Sequence, residues 1–240
     1  MRSQLQRRAR MELAKDDFSR RLATLDDPAG GASEAYRTLR ASLLRILKMS
    51  TPAVVVLTSP GPKEGKSTTC ANLGVALAQA GHKTLIMDCD LRGPLLHKVF
   101  GLSNSYGLVD VLTNGHDLED LLREPPLANL NVVTAGPIPP NPTELLGSGR
   151  FSEVVTEARE RFDYVLLDSP HLLAAGPSSI GTFSDPLELD SRADGVLLVL
   201  DAQGTTRNKL RKALQTLESA GSSVLGLVVN NVEPTRWELT

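Results

Sequence analysis

The chain contains 240 residues, of which 41% are hydrophobic and 22% charged, and its formal net charge is −2. This size and composition predict one soluble globular domain with an N-terminal extension, and the small net charge argues against bulk binding of nucleic acid. Apolar runs such as residues 196–200 fall far short of the roughly 20 residues that span a bilayer, so no direct membrane span is expected. A charged N-terminus without an apolar segment and only two cysteines, Cys70 and Cys89, predict a reduced, cytoplasmic protein.

Residues 1–32 are interpreted as an N-terminal arm and linker, and residues 33–240 as the folded domain. Basic residues outnumber acidic ones over 2–24, which predicts a solvated helix or a flexible arm. The same composition suits a membrane-surface segment, because anionic lipid attracts basic side chains. The run Asp-Pro-Ala-Gly-Gly at 27–31 is typical of a linker.

A helix is predicted to begin with Ser33 as its N-cap and to end near residue 49. Its apolar face repeats at helical spacing and consists of Tyr36, Leu39, Leu43 and Leu47. Glu34, Arg37 and Arg40 lie three residues apart and form one charged stripe. As a pattern alone, this stripe is interpreted as a solvated helix face.

From residue 53 onward, apolar runs and helical segments alternate. The predicted strands span 53–58, 83–88, 130–134, 163–168, 194–201 and 224–230. The predicted helices span 66–80, 116–123, 143–160 and 205–220. Continuous apolar strands are typical of a parallel sheet that is covered on both faces. The alternation therefore predicts a three-layer α/β fold with a mostly parallel sheet.

Between the first strand and the next helix, residues 58–69 read Thr-Ser-Pro-Gly-Pro-Lys-Glu-Gly-Lys-Ser-Thr-Thr. A buried strand, a Gly/Pro turn and Gly-Lys-Ser opening a helix predict a phosphate loop, a backbone cradle for nucleotide phosphates. The motif is irregular, because Pro60 occupies the slot of the first glycine and proline has no N–H to donate. The N–H donors are therefore assigned to Lys63, Glu64, Gly65, Lys66, Ser67 and Thr68. Here Lys66 is expected to reach the β- and γ-phosphates and the Ser67 hydroxyl to bind Mg²⁺.

Aspartates stand where two of the predicted strands end. Asp88 and Asp90 close one of them and Asp168 closes another. Ligands of open α/β sheets bind at the carboxyl ends of the strands, so these acids are expected to face the phosphate loop. Carboxylates suit Mg²⁺, and a positioned aspartate can accept a proton from an attacking hydroxyl. The expected ligands are therefore ATP or ADP with Mg²⁺.

From Ser33 to Val232 the chain resembles the bacterial tyrosine kinases (BY-kinases) of capsule and exopolysaccharide systems, within the MinD/ParA-like P-loop ATPases. The resemblance rests on the order of several motifs, which are EAYRTLR at 34–40, the phosphate loop, MDCDLR at 87–92, LHKVFGL at 96–102, GPIPPNPTELL at 136–146 and FDYVLLDSP at 162–170. It implies a three-layer P-loop NTPase fold and an ATP- and Mg²⁺-dependent protein-tyrosine kinase that regulates polysaccharide synthesis and export.

The resemblance also implies roles for single residues. Asp88 is the expected base for a tyrosine hydroxyl, while Asp90 and Asp168 are expected to organise Mg²⁺. Arg92 is expected near the phosphates and Asn230 on the adenine, with a plain turn residue as the alternative for Asn230. The implied catalytic set is Lys66, Asp88, Asp90 and Asp168.

Glu34, Arg37 and Arg40 match the family's E-x-x-R-x-x-R self-association motif, and the resemblance therefore favours a ring-like homo-oligomer over a merely solvated face. The implied partner is the cytoplasmic tail of a membrane adaptor, a polysaccharide co-polymerase. Such a partner would recruit the cytoplasmic protein to the inner face of the cell membrane.

The chain departs from the family pattern in its tyrosines and beside the site. Residues 231–240 lack the autophosphorylated cluster of relatives, and the tyrosines present are Tyr36, Tyr106 and Tyr164. His171 replaces the second proline of the family's Asp-Ser-Pro-Pro. It is interpreted as a surface-loop residue, with a role beside the γ-phosphate as the alternative. The following segment, 172–184, is interpreted as a mobile loop.

Two other functions stay open. One is a nucleotide-switched assembly module with little kinase activity, which acts on the same membrane adaptor. The other is a MinD/ParA-like positioning ATPase. Gly61 stands where MinD/ParA proteins carry their signature lysine, and this difference favours the kinase branch.

Overall fold

A computed structural model of the chain describes residues 22–125, 127–173 and 184–232. At its centre is a six-stranded sheet in which all neighbouring strands run parallel. The strand order is β3-β2-β4-β1-β5-β6, with β1 Ala53–Thr58, β2 Thr84–Asp88, β3 Leu130–Val133, β4 Tyr164–Asp168, β5 Gly195–Asp201 and β6 Val224–Asn230. Helices cover both faces, so the predicted three-layer α/β fold is confirmed. The basic arm up to residue 21, most of the segment 172–184 and the stretch 233–240 lie outside the described residues.

The helices match the predicted ones in part. They are α1 Ala23–Asp26, α2 Gly31–Ile46, α3 Lys66–Gln79, α4 Leu96–Val99, α5 Leu108–Asn114, α6 Pro142–Leu146, α7 Gly149–Arg161, α8 Ser184–Asp190 and α9 Arg207–Ser219, with a 3₁₀ helix at Leu118–Leu121. The α-helix predicted over 116–123 is wrong, because that segment forms only the 3₁₀ turn. The unpredicted α5 lies just before it, where the Asp110 carboxylate accepts the N–H of Gly107 at 2.8 Å.

The single helix predicted over 143–160 is also wrong, because it is divided into α6 and α7. The break falls at Gly147 and Ser148. Ser148 acts as an N-cap, since its hydroxyl accepts the N–H of Phe151 at 3.2 Å. A Gly-Ser pair inside a helical pattern thus ends one helix and begins the next.

The first long helix, α2, begins at Gly31, so Ser33 is not its N-cap. The Ser33 hydroxyl is instead buried and donates to the carbonyl oxygens of Ala23 at 2.8 Å and Asp27 at 2.6 Å. Within α1, Thr24 donates from its N–H and its hydroxyl to Asn72 Oδ1 on α3, at 3.1 and 2.9 Å. The chain before residue 33 therefore packs against α3 from α1 onward, while a domain boundary at residue 33 stays a prediction.

The core lies in two apolar layers, one on each face of the sheet. Every residue of β1, β2 and β4 is buried, which explains why these strands read as continuous apolar runs. Helix α3 packs so closely on the sheet that a Cβ added to Gly74 would come within 2.4 Å of Ile86 Cδ1. This close approach fixes the helix that follows the phosphate loop.

One edge of the sheet is formed by β6, where Val224, Leu227 and Val229 are exposed. Among the residues that the structure describes, no helix has the length and hydrophobicity required to cross a membrane.

Candidate functional site

The phosphate loop connects the carboxyl end of β1 to the first turn of α3. Gly65 precedes the helix with a φ of +91°, and Lys63 also has a positive φ, of +62°. A Cβ on Gly65 would lie 2.0 Å from Asn230 Nδ2, so both the backbone angle and the space require glycine here. The first N–H groups of α3 have no partners within the helix, and its N-terminus therefore offers an anion site.

Two side chains at the start of α3 point inward rather than into solvent. Lys66 and Ser67 are only 8% and 7% exposed, whereas Lys63 is exposed, as expected from its place in the turn. The positive charge of Lys66 acts on Asp168, His171 and the Glu64 carboxylate, where it lowers the pKa of each. Lys66 thus stands at the centre of the predicted site.

The aspartates that close β2 and β4 are brought together by the register of the sheet. Asp88 and Asp168 are direct partners across the parallel pair, and both are fully buried. Asp88 Oδ2 accepts the N–H groups of Leu95 and Leu96, each at 3.0 Å. Burial, together with the charge of Asp168, raises the pKa of Asp88 well above its usual range.

Asp168 is the less satisfied of the two acids. Neither of its buried carboxylate oxygens accepts a hydrogen bond from the described residues. Burial raises its pKa to about 7, although Lys66 and the nearby Ser67 hydroxyl lower it in part. A buried acid pair in which the Asp168 oxygens accept no hydrogen bond from the described residues suits a divalent cation, such as the predicted Mg²⁺.

Asp90 joins this group through the backbone and through its charge. Its N–H donates to Asp88 Oδ1 at 3.3 Å, and its carboxylate accepts the N–H of Gly93 at 3.0 Å. Its negative charge raises the pKa of both Asp168 and His171. The structure therefore brings Lys66, Ser67, Asp88, Asp90 and Asp168 into one place.

Arg92 and Asn230 are held by neighbours that the sequence did not indicate. Arg92 Nε donates to the buried Asp185 at 2.8 Å and its Nη2 to Thr143 at 3.0 Å, while Thr143 itself donates to Asp185. Asn230 Nδ2 donates to the carbonyl oxygen of Glu64 at 3.3 Å. A phosphate contact for Arg92 and an adenine contact for Asn230 stay predictions.

The Glu64 side chain was missed by sequence reasoning, which used only its backbone. It is 4% exposed, and its Oε1 accepts the Thr205 hydroxyl at 2.8 Å. Burial raises the pKa of this carboxyl, against the lowering effect of the Thr205 bond. This hydrogen bond connects the phosphate loop to the segment after β5. The one sequence signal for the contact is the alternation of strands and helices, which places both segments at the carboxyl edge of the sheet.

His171 lies in a loop, as predicted, but its side chain is less exposed than a surface position would imply. The ring is partly buried, and its Nε2 is shielded from solvent without a hydrogen bond from the described residues. The one sequence signal that marked His171 was its replacement of the second proline in the family's Asp-Ser-Pro-Pro motif.

The proposed self-association residues lie on α2, away from the phosphate loop. Glu34 and Arg37 form an exposed ion pair at 2.7 Å. Arg40 instead donates to the carbonyl oxygen of Ala76 on α3 at 2.9 Å. Glu34 and Arg37 thus contact each other, whereas Arg40 contacts α3. A role of the three residues in assembly stays a prediction.

These features define a P-loop nucleotide-binding domain, and residues 55–239 match the CobQ/CobB/MinD/ParA nucleotide binding domain family. The chain is 38% identical to tyrosine-protein kinase YwqD of Bacillus subtilis over 218 residues, which cover 89% of this chain and 86% of the relative. It is 35% identical to putative tyrosine-protein kinase CapB of Staphylococcus aureus over 207 residues, covering 86% and 87% of the two chains. The kinase domain of Escherichia coli tyrosine kinase ETK superposes with a TM-score of 0.79 at 29% identity, over 88% of this chain and 82% of that one. The chain therefore belongs to the bacterial tyrosine kinases within this nucleotide-binding family.

Proposed function

We propose that this protein transfers the γ-phosphoryl group of ATP to a tyrosine hydroxyl of a protein, in the control of capsular or exopolysaccharide synthesis. The observation that supports this most directly is the register pair Asp88–Asp168, buried beside Lys66 and the α3 N-terminus. An acid pair at a phosphate loop suits phosphoryl transfer, because catalysis of this reaction is mostly positioning and charge neutralisation.

The phosphates would lie on the N–H groups of residues 63–68, with Lys66 against the β- and γ-phosphates. Lys66 is nearly buried, so its charge acts on phosphate oxygens with little screening by water. Mg²⁺, held by Ser67, Asp90 and Asp168, would supply further positive charge to the phosphates when bound.

Asp88 would take the proton of the tyrosine hydroxyl as its oxygen bonds to the γ-phosphorus and ADP leaves. Its raised pKa makes it a stronger proton acceptor than an ordinary aspartate. The N–H groups of Leu95 and Leu96 hold its carboxylate in one orientation. Arg92 would contact phosphate and Asn230 would contact adenine.

The partners follow from the same family membership. We infer self-association through Glu34, Arg37 and Arg40 and recruitment by the cytoplasmic tail of a membrane polysaccharide co-polymerase. The protein would thus act in the cytoplasm at the inner face of the membrane.

The test is incubation of the purified chain with ATP, Mg²⁺ and a Glu/Tyr copolymer, followed by detection of phosphotyrosine. Lys66→Met should abolish the signal, whereas Lys83→Met, an exposed lysine at the opposite end of the sheet, should keep it. ATP binding by the wild-type protein without phosphotyrosine on the copolymer, on the chain or on its adaptor would contradict kinase activity. That result would favour the nucleotide-switched assembly module.

A further inference from the structure

His171 is held against the phosphate loop by its own backbone neighbours. On one side, the Thr58 hydroxyl donates to the carbonyl oxygen of Pro170 at 2.8 Å. On the other side, the N–H of Leu172 donates to the carbonyl oxygen of Ser59 at 2.8 Å. The next N–H, that of Leu173, donates to Pro60 at 3.1 Å. These bonds join the residues on both sides of His171 to the end of β1 and the start of the loop, so its position follows that of the loop.

The imidazole ring has an unsatisfied nitrogen inside the protein. Nε2 is shielded from solvent and forms no hydrogen bond with the described residues. Buried polar atoms are nearly always hydrogen-bonded, so an exception marks a place where a partner is missing. Such a partner must carry an acceptor or a donor within reach of the ring.

The charges around the ring indicate what this partner is. Besides burial, the groups that act on the pKa of His171 are Lys66, which lowers it, and Asp90, which raises it. The ring therefore lies within electrostatic reach of both the lysine expected at the β- and γ-phosphates and an acid expected at the metal. Burial and Lys66 both favour the neutral imidazole, which can donate one hydrogen bond from Nε2.

We propose that His171 Nε2–H donates a hydrogen bond to the terminal phosphoryl group of bound ATP and so distinguishes ATP from ADP. This inference rests on the proposed function, because it requires nucleotide in the phosphate loop. The β-phosphate is bound by the helix N-terminus in both nucleotides, whereas only ATP places an acceptor between Lys66, Asp90 and His171. His171 thereby becomes a specificity-determining contact for the nucleotide state of the protein.

The experiment is calorimetric titration of the full chain with AMP-PNP and, separately, ADP, each with Mg²⁺. His171→Ala should weaken AMP-PNP binding about tenfold and leave the ADP affinity within about twofold, as expected for a lost hydrogen bond to a charged group. His171→Gln retains a side-chain N–H donor and should recover part of the loss. The matched control is His82→Ala, because His82 is also half-buried but packs edge-on against Tyr164 at the amino end of the sheet.

Equal weakening of both nucleotides by His171→Ala would overturn the inference, since it would indicate a structural role. Unchanged affinity for both would overturn it as well. Should the alanine variant fail to fold, His171→Phe preserves a ring without the N–H and must show the same AMP-PNP-specific loss. Failure of the wild-type chain to bind either nucleotide would instead overturn the proposed function itself, so the two failures are distinguishable.

Discussion

Arg92 Nε donates to Asp185 Oδ2 at 2.8 Å, and this bond connects the loop after β2 to helix α8. The Asp185 side chain is fully buried, while that of Arg92 is 33% exposed. A buried carboxylate is stable only when it is paired and hydrogen-bonded. The pair is therefore expected to position both segments beside the phosphate site.

We predict that Asp185→Asn lowers the free energy of unfolding by about 2–3 kcal/mol, because it weakens the charge-assisted bonds that this buried side chain accepts. Urea denaturation measures this change. The control is Glu119→Gln, which removes an exposed ion pair with Arg161 and should cost about 0–1 kcal/mol. Equal effects of the two substitutions would show that the Arg92–Asp185 bond adds nothing beyond a surface pair.

Gly65→Ala is expected to destabilise the protein and to weaken nucleotide binding. Its φ of +91° is unfavourable for alanine, and the new Cβ would lie 2.0 Å from Asn230 Nδ2. Gly81→Ala is the matched control, because Gly81 has a φ of +90° with no atom within 4 Å of the added Cβ. The control should cost about 1 kcal/mol from backbone strain alone, and Gly65→Ala should cost more in the same denaturation experiment. Equal losses would mean that the loop moves away from Asn230 without cost.

The stability of the nucleotide-free protein is predicted to fall as pH rises from about 4 to about 7. Over this range the native state retains a proton on Asp168, whose pKa is raised to about 7, while the unfolded chain has lost it. Asp168→Asn removes the contribution of Asp168 to this dependence, while Asp88, whose pKa is also raised, keeps its own, and the substitution should stabilise the protein at neutral pH by roughly 2–4 kcal/mol. The measurement is urea denaturation of both proteins at a series of pH values. A wild-type slope that matches that of Asp168→Asn would contradict the raised pKa.

The parts of the site that sequence could predict are those set by local pattern. Continuous apolar strands locate the sheet, and parallel strands bring their carboxyl ends to one edge, so the sequence alone places Asp88 and Asp168 together. The bond from Arg92 to Asp185 spans 93 positions of sequence and that from Thr205 to Glu64 spans 141. No periodicity specifies such pairs, because they depend on how helices and loops pack over the sheet.

The same limit explains the errors in the helices and the unexpected partial burial of His171. Hydrophobic periodicity is averaged over many residues. It therefore does not show that Ser148 can cap a new helix or that Asp110 can stabilise the start of a short one. The partial burial of His171 accompanies backbone bonds between two segments more than 100 residues apart, whereas a Pro-His sequence alone indicates an exposed loop.

Phosphorylation within the described residues is predicted to be confined to Tyr106. Tyr164 is fully buried, and Tyr36 is partly buried on α2, where burial raises the pKa of its hydroxyl against the lowering effect of the Thr69 side chain. Tyr106 is only half-buried, with its ring edge-on to His116 at 5.3 Å between centroids. Mass spectrometry after incubation with ATP and Mg²⁺ should detect phosphate on neither Tyr36 nor Tyr164. Phosphate on either of them would show that the kinase acts on a partly unfolded chain or that these helices and strands open.

The exposed pair of Glu34 and Arg37 allows assembly to be tested separately from folding. Because the pair is exposed, Glu34→Ala should change the free energy of unfolding by about 0.5 kcal/mol or less. If the helix mediates self-association, the same variant should lower the molar mass measured by light scattering. Glu153→Ala is the matched control, because Glu153 pairs with Arg150 at the same spacing on α7, with 68% exposure against 67% for Glu34. An identical loss of mass in both variants would reflect a general effect of surface charge, and an unchanged mass in Glu34→Ala would remove this helix from the interface.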